Sequence, residues 1–222
     1  MDFAVYMGDE KTVIYKRGQG IVLNEPTLAA VKEGGKVVGL GKAAERYIGQ
    51  DGIIIETPII NGCIDDAALA GAFFSNLWQR VSGQNIAIRR RCVFCIPSSI
   101  SSDQLNEYKT AVYSAGVADA EFIPAVIASA VGLGYDVYSQ DTVISVVIEN
   151  QIADIAAIKL GEIIAGGTIT ELDKLDAAIA QVAQSAGFAV EQAYHGDRIS
   201  IAKGAGKLLD NERLVKRIVS VN

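Results

Sequence analysis

The chain has 222 residues, of which 50% are apolar and 21% are charged; this is the balance of a folded globular protein with room for one large domain or two small ones. The net charge of −6 argues against nucleic acid as the main partner, and no apolar run is long enough to span a bilayer. The opening residues, MDFAVYM, include an acid and lead directly into a strand pattern, so we expect a cytoplasmic protein.

Apolar runs in the first 140 residues predict short strands followed by alternating helices and strands. Five short runs, separated by Gly, Asp, Glu and Pro, predict an antiparallel meander over the first forty residues. In residues 65–82, apolar side chains recur at every fourth position, which predicts an amphipathic helix. The other elements expected here are a short helix in residues 42–49, a strand in 92–97, a helix in 102–115, a strand in 120–123 and a helix in 125–134.

The strand–turn–strand pattern of the N-terminal residues recurs near residue 142. The elements expected in this half are strands in 142–148, 152–159 and 162–170, a helix in 171–186, a strand in 188–192 and two helices within 197–219. Two copies of a sheet with helices on its faces indicate an α/β fold with internal duplication. The second copy is much shorter than the first.

The cysteines and the basic run are interpreted as structural. The Cys92-x-x-Cys95 spacing is also found in redox and zinc sites, but here it lies in an apolar strand, where residues three apart point to opposite faces. Cys63 and the single histidine, His195, are far from it in sequence. We therefore expect buried thiols and no metal site, and we interpret Arg89-Arg90-Arg91 as a solvated approach to the strand.

Four segments, in this order along the chain, point to one family: KRGQGIVLNEPTLAAVK (16–32), GKAAERYIG (41–49), DKLDAAIAQ (173–181) and AKGAGKLLDN (202–211). They resemble MreB, the bacterial actin-like cell-shape family, and the similarity runs through the chain with one large gap. The resemblance implies an α/β, actin-like (ribonuclease H-like) duplicated fold, with mixed five-stranded sheets flanked by helices and a truncated second half.

The resemblance also implies a division into two domains. Residues 1–140 would form the first, with a small inserted subdomain at about 33–64. Residues 141–222 would form a truncated second domain, whose C-terminal helices pack back on the first. In DKLDAAIAQVAQSAGFAV (173–190) the sequence passes directly from the helix after the second hairpin to a strand near the family's C-terminus. The subdomain between them, with the Gly-rich loop that would hold adenosine, is missing.

Members of the superfamily hold ATP between the two sheets, on a first hairpin with Asp-x-Gly-Thr and a second with Asp-x-Gly-Gly-Gly-Thr. Gly-rich turns let backbone N–H groups approach phosphate oxygens, and the aspartates organise the Mg²⁺ shell. Here the first hairpin reads YMGDEKT. Alignment on Gly8 and Thr12 puts Tyr6 at the Asp position and Asp9 at the Thr position.

The second hairpin has lost its glycines. Val147 stands at the Asp position, Glu149-Asn150-Gln151 at the three glycines, and Ile152 and Ala153 at the threonines. Only Asn150 tolerates a positive φ, and Glu149 would face phosphate oxygens, where two like charges about 4 Å apart repel by roughly 4 kcal/mol at an effective dielectric constant of 20. The two hairpins are therefore interpreted as vestigial phosphate sites, comprising Gly8, Asp9, Lys11, Thr12, Glu149, Asn150, Gln151 and Asp154.

Two further positions depart from the family. Gln104 stands where MreB has its catalytic Glu, although actin itself positions water with a glutamine. Gln104 also fits a Ser-x-x-Gln capping box with Ser101, and we interpret it as structural. Pro124-Ala125-Val126 replaces a Glu-Glu-Pro sequence, so another polar lining is lost. We expect no catalytic residue.

These changes favour a non-catalytic, MreB-like (pseudo-actin) scaffold that acts through protein–protein contacts in cell shape or envelope organisation. Its partners would be itself, an MreB-type filament protein or the cell-shape machinery, with no nucleic acid and at most peripheral membrane contact. One alternative is a divergent ATPase binding ATP and Mg²⁺ through Asp9, Glu10, Lys11 and Asp154, although we interpret these four as solvated turn or edge charges. Another is an adaptor of the pilus or microcompartment type. We expect no cofactor under the scaffold hypothesis.

Overall fold

A computed structural model describes residues 2–82, 90–188 and 193–221. Its strands are β1 Phe3–Met7, β2 Lys11–Lys16, β3 Gly20–Pro26, β4 Ala29–Lys32, β5 Lys36–Leu40, β6 Ile53–Glu56, β7 Ile59–Ile60, β8 Cys63–Ile64, β9 Arg90–Ile96, β10 Val117–Pro124, β11 Val143–Glu149, β12 Ile152–Lys159, β13 Glu162–Ile169 and β14 Ala193–Gly196. Its α-helices are α1 Ala67–Ser82, α2 Ser102–Ser114, α3 Ala125–Leu133, α4 Leu175–Ser185, α5 Arg198–Leu209 and α6 Glu212–Val221.

The first main sheet has five strands in the order β10-β9-β1-β2-β3. β1, β2 and β3 form an antiparallel meander, whereas β9 and β10 run parallel to β1. Successive side chains of β1 point to opposite faces. Phe3 and Val5 pack with α1 and α2, and Ala4 and Tyr6 pack in the core that contains α3 and α5. Helices therefore cover both faces of this sheet.

The second main sheet has the order β13-β12-β11-β14. α4 packs on one face, with Ile179 and Val182 among buried residues of β11 and β12. The other face contributes Val143 and Val147 to the same core as α3 and α5. These two helices lie between the sheets and pack closely, because a side chain at Gly204 would overlap the carbonyl oxygen of Ala128. The two sheets thus share one layer of helices.

The N-terminal meander is shorter than expected. β4 and β5 pair with β6 in a separate three-stranded sheet, and β7 pairs with β8. The chain leaves the first sheet at Pro26, which has no amide hydrogen to extend the ladder. The helix expected in residues 42–49 is two successive 3-10 turns, Gly41–Ala43 and Glu45–Tyr47.

The second half of the chain differs from expectation in the strands of its sheet. The second sheet has four strands in the described residues, one fewer than expected, because the chain passes from β14 directly into α5 and α6. The strand expected in 188–192 lies mostly outside the described residues, and β14 begins at Ala193. Among the described helices, none combines the length and apolarity needed to cross a bilayer.

Candidate functional site in the cleft between the hairpins

The tips of two hairpins face each other across a cleft between the main sheets. The first hairpin joins β1 to β2 through residues 8–10, and the second joins β11 to β12 through Asn150 and Gln151. Asn150 has φ of 50° and both turn residues are exposed. Asn150 thus supplies the left-handed conformation that the turn requires. Glu149, the last residue of β11, is only 7% exposed.

Glu149 is held by residues from two other parts of the chain. The hydroxyl of Tyr6 in β1 donates a hydrogen bond to Glu149 Oε1. Arg198, the first residue of α5, donates from Nε to the same oxygen over 3.0 Å, and its terminal nitrogen lies 2.9 Å from Glu10 Oε2. One guanidinium therefore connects both hairpins to the helix between the sheets.

Burial and charge shift the pKa values of this group. Burial raises the pKa of Tyr6 well above its usual value, and the neighbouring charge of Glu149 and the hydrogen bond to it raise it further. Burial would lower the pKa of Arg198, but its hydrogen bond to Glu149 and the charge of that residue outweigh this and raise it. Tyr6 is therefore a neutral donor and Arg198 a cation.

Gly8 leaves no space between the hairpins. A Cβ atom at this position would lie 2.7 Å from Glu149 Oε1, so the carboxylate packs directly on the Gly8 backbone. The Gly8 N–H donates to the Lys11 carbonyl oxygen over 3.0 Å within the turn. The Gly8 N–H is therefore engaged within the turn.

Asp9 fastens the first hairpin to the small β7–β8 hairpin. Its two carboxylate oxygens accept hydrogen bonds from the backbone N–H groups of Asn61 and Gly62, each over 2.8 Å. Its partly buried position does not fit a solvated turn charge. Lys11 is exposed as expected, and the buried Thr12 hydroxyl lies 3.0 Å from that of Thr27.

Asp154 is likewise not the solvated edge charge that we expected. It is only 6% exposed, because β12 is an interior strand with helices on both sides. Its carboxylate accepts hydrogen bonds from the Ser98 N–H over 2.7 Å and from the Ser98 hydroxyl. Burial raises its pKa despite these two bonds. The hydroxyls of Ser99 and Thr168, 2.6 Å apart, form another bridge across the cleft.

The capping box predicted for Ser101 and Gln104 is present. The Gln104 N–H donates to Ser101 Oγ over 3.3 Å, and the Ser101 N–H donates to Gln104 Oε1 over 3.0 Å, which forms the capping box at the start of α2. Gln104 also lines a cavity of about 320 Å³ beside the hairpins. The lining includes both carboxylates of the cleft, Glu149 and Asp154.

The expectation of buried thiols is confirmed for Cys92 and Cys95, whereas Cys63 is only partly buried. Cys92 and Cys95 are buried on opposite faces of the first sheet, in two different core clusters. In the described ranges, no three His, Cys, Asp or Glu side chains come together in a way that could hold a metal ion.

Comparison with known proteins identifies the family to which this chain belongs. The sequence model of the MreB/Mbl protein family matches residues 1–213. The chain belongs to the MreB/Mbl family. It is 28% identical over 179 residues to the cell shape-determining protein Mbl of Bacillus subtilis, which covers 79% of this chain and 54% of that protein. It is 24% identical over 176 residues to the cell shape-determining protein MreB of Escherichia coli, which covers 76% of this chain and 51% of that protein.

Solved structures of this family agree in fold. MreB5 of Spiroplasma citri bound to ADP superposes with a TM-score of 0.69 at 22% identity, over 93% of this chain and 60% of that one. The AMPPNP-bound form gives a TM-score of 0.69 at 20% identity, over 99% and 77%. The actin-like fold expected from the sequence is confirmed. The chain spans about half the length of the curated MreB and Mbl relatives that it matches.

The residues between the hairpins do not fit the magnesium–triphosphate group that the MreB/Mbl family implies. The space is occupied by a carboxylate, which repels phosphate oxygens, and by a phenol in place of a metal-organising carboxylate. The cation that contacts Glu149, Arg198, is already paired with Glu149 and Glu10.

Sequence reasoning did not find Arg198. Its side chain matters because α5 begins beside the cleft, and the local sequence marks this start: Asp197 caps the helix by accepting from the Ser200 N–H over 2.7 Å. The Asp-x-x-Ser pattern of residues 197–200 predicts the start of this helix, but the position of Arg198 near Glu149 depends on the tertiary fold.

Proposed function

We propose that this chain is a non-catalytic MreB/Mbl protein, a pseudo-ATPase that acts as a scaffold through protein–protein contacts. The names of its relatives, cell shape-determining proteins, support a role in cell shape or envelope organisation. The partners proposed are a second copy of the chain or an MreB-type filament protein.

One observation carries the proposal: the buried carboxylate of Glu149 lies between the hairpins, bonded to Tyr6 and Arg198. It places a negative charge where the family's phosphates would add more. Charges of like sign near a surface repel by about 4 kcal/mol at 4 Å, equivalent to several hundred-fold in affinity. Binding of nucleotide would also require breaking the contacts that Glu149 already makes.

Closure of the cleft by the chain's own side chains supports the same proposal. Domain closure commonly depends on a ligand that contacts both sides. Here Glu149 joins Tyr6 across the cleft, Asp154 joins Ser98, and Thr168 joins Ser99. An arrangement that is bridged internally needs no nucleotide to hold it.

Titration of Mg·ATP and Mg·ADP by calorimetry tests the loss of the site. MreB5 of Spiroplasma citri, whose solved structures contain ADP and AMPPNP, is the matched positive control. We expect heat from the control and none from this chain. Micromolar binding by this chain would refute the proposal and favour the divergent-ATPase alternative, especially if the nucleotide lay against residues 8–12 and 149–153.

Assembly is tested separately by sedimentation with and without ATP. Actin-like filaments use contacts from both large domains, and only residues 186–192 separate α4 from β14, where the family resemblance implies a further subdomain. We expect a dimer or a short assembly whose size does not change with ATP. Long filaments that form only with ATP would contradict this expectation, and co-purification from the native host would identify the partner.

A further inference from the structure

Two tyrosine rings lie in direct contact at the edge of the second sheet. The ring centroids of Tyr135 and Tyr194 are 3.8 Å apart, and the ring planes are tilted by 35°. The other aromatic pairs of the described residues have centroids 5.4 Å or more apart, and separations of about 4.5–7 Å are usual. Carbon atoms of the Tyr135 and Tyr194 rings are therefore in van der Waals contact.

The backbone fixes the position of both rings. Tyr135 follows the end of α3, where Gly134 has φ of 100°. The N–H of Gly134 donates to the Val131 carbonyl oxygen over 3.1 Å, and the N–H of Tyr135 donates to the Ala130 carbonyl oxygen over 3.0 Å. These are the two bonds of a Schellman motif. Tyr194 lies in β14, within the parallel ladder with β11, so regular backbone structure holds each ring in place.

A hydrogen bond between the two side chains sets the direction of the rings. It joins the hydroxyl groups of Tyr135 and Tyr194, so both hydroxyls lie at the same end of the pair. The ring carbons ortho to the hydroxyls therefore lie side by side, and these are the atoms that join in dityrosine. Reacting atoms that are held about 3–3.5 Å apart react as in a unimolecular step. Both rings are also partly exposed, which gives a small oxidant access to them.

Oxidisable side chains of other types are less accessible in the described chain. Trp78 and Met7 are 1% and 2% exposed, and Cys92 and Cys95 are buried. Cys63 is partly buried, and burial raises the pKa of its thiol, which lowers the population of the reactive thiolate. An oxidant at the surface therefore meets exposed tyrosines first.

We propose that Tyr135 and Tyr194 form an oxidative cross-linking site, at which a diffusible one-electron oxidant joins the two rings as dityrosine. Each phenol loses one electron to the oxidant and one proton to water, and the two tyrosyl radicals combine in a bond between their ortho carbons. The hydrogen atoms on these two carbons then move to the oxygens, which restores both aromatic rings. Overall the protein loses two hydrogen atoms, and the oxidant gains two electrons.

The cross-link ties the edge strand β14 to the end of α3. Tyr135 and Tyr194 are far apart in sequence, so the new bond closes a loop of on the order of 60 residues and lowers the entropy of the unfolded chain. The midpoint of thermal unfolding should therefore rise by several degrees in the cross-linked protein. The inference goes beyond the scaffold function and does not depend on it, because it concerns a covalent modification within one chain.

Tris(bipyridyl)ruthenium(III), generated by light with persulfate as the final electron acceptor, tests the proposal on the full chain. We expect blue dityrosine fluorescence in the monomer band of a denaturing gel, in a yield that is unchanged when the protein is diluted about tenfold, since the coupling is unimolecular. Trypsin cleaves after Lys and Arg, so the linked product should join peptides 110–159 and 175–198. Its mass should be lower than that of the two peptides together by two hydrogen atoms.

Variants identify the two rings. Tyr135→Phe and Tyr194→Phe each keep a ring but remove a phenol, so dityrosine in the monomer should fall by at least about tenfold, because coupling then needs a second molecule. Tyr113→Phe is the matched control: Tyr113 is 47% exposed and belongs to none of the ring pairs among the described residues, and its loss should leave the yield unchanged. Tyr138→Phe, in the same tryptic peptide as Tyr135, should also leave the yield unchanged.

The proposal is overturned if dityrosine is absent or forms only between molecules, if the linked product lacks peptide 175–198, or if a folded Tyr135→Phe variant gives the wild-type yield. A melting midpoint of the cross-linked protein no higher than that of the unmodified protein would contradict the stabilising effect. The peptide map of the wild type decides the question even where a variant fails to fold. The Mg·ATP titration is independent of these outcomes, so failure here and failure of the scaffold proposal are distinguishable.

Discussion

Replacement of Arg198 by Met tests whether the ion pair with Glu149 stabilises the cleft. The methionine keeps much of the side-chain length but removes the charge, which leaves Glu149, 7% exposed, with only the Tyr6 hydroxyl. Removing one partner of a buried pair costs about 3–5 kcal/mol. The Arg198 side chain is 27% exposed, so water screens part of this, and we expect a loss of about 2–3 kcal/mol in the free energy of unfolding.

The double variant Arg198→Met/Glu149→Gln separates charge from packing. Glutamine keeps an oxygen that can accept from Tyr6 and carries no charge, so the double variant should recover about 1–2 kcal/mol relative to Arg198→Met alone. Glu10→Gln is the control: its side chain is 62% exposed, and it should cost less than about 1 kcal/mol.

Urea unfolding followed by the fluorescence of the single tryptophan, Trp78, measures these differences, since Trp78 is only 1% exposed in the folded protein. In thermal unfolding, the Arg198→Met variant should melt roughly 4–12 °C lower. The reasoning would be refuted if Arg198→Met were as stable as the wild type, or if the double variant were no more stable than the single one.

Three further substitutions examine other contacts of the cleft and the helix layer. Gly8→Ala should cost about 1–3 kcal/mol in urea unfolding, because its Cβ would lie 2.7 Å from Glu149 Oε1, whereas Gly167→Ala, with open space around it, should cost almost nothing. Equal effects of these two would contradict the contact. Asp154→Asn should gain melting temperature relative to the wild type as pH rises above about 4. Burial raises the pKa of Asp154 in the folded protein above the usual 3.8, so the unfolded chain loses this proton at a lower pH than the folded protein does. The stability of the wild type therefore falls as pH rises from the unfolded pKa to the folded pKa. A difference independent of pH would oppose this. Gly204→Ala should cost about 3 kcal/mol or more in urea unfolding, because the new methyl group overlaps a backbone oxygen of α3; near-wild-type stability would refute that close approach.

The regular elements could be predicted because their signals are local. The four-residue spacing of apolar side chains gave α1 nearly to its ends, and the three strands from 142 to 170 are apolar runs separated by turn residues. The capping box of α2 is a four-residue pattern and was equally readable. The β4–β5 strands were placed in the wrong sheet, because hairpin signals say which strands are neighbours in sequence but not where a sheet ends.

The contacts of the cleft were not predictable in the same way. Tyr6 and Glu149 are separated by 143 positions, and the family resemblance indicated Tyr6 as a lost aspartate and Glu149 as a lost glycine, without pairing the two. Asp154 was misinterpreted because strand alternation assumes one solvated face, whereas β12 lies inside a sheet that is covered by helices on both faces. Both errors concern tertiary neighbours.

The hydrogen bonds of the carboxylates in the cleft distinguish it from a nucleotide site that has only lost its ligands. A nucleotide site that had merely lost its ligands would leave buried polar groups without partners, each unfavourable by about 1–3 kcal/mol. Here Asp9 accepts from two backbone amides, Asp154 accepts from both donors of Ser98, and Glu149 Oε1 accepts from Tyr6 and Arg198. Because Glu149 without Arg198 would be an unpaired buried charge, these residues are stable in the cleft only as a set. They therefore form a built arrangement, in which Glu149 Oε2 alone, among the oxygens of these three carboxylates, has no hydrogen-bond partner in the described residues.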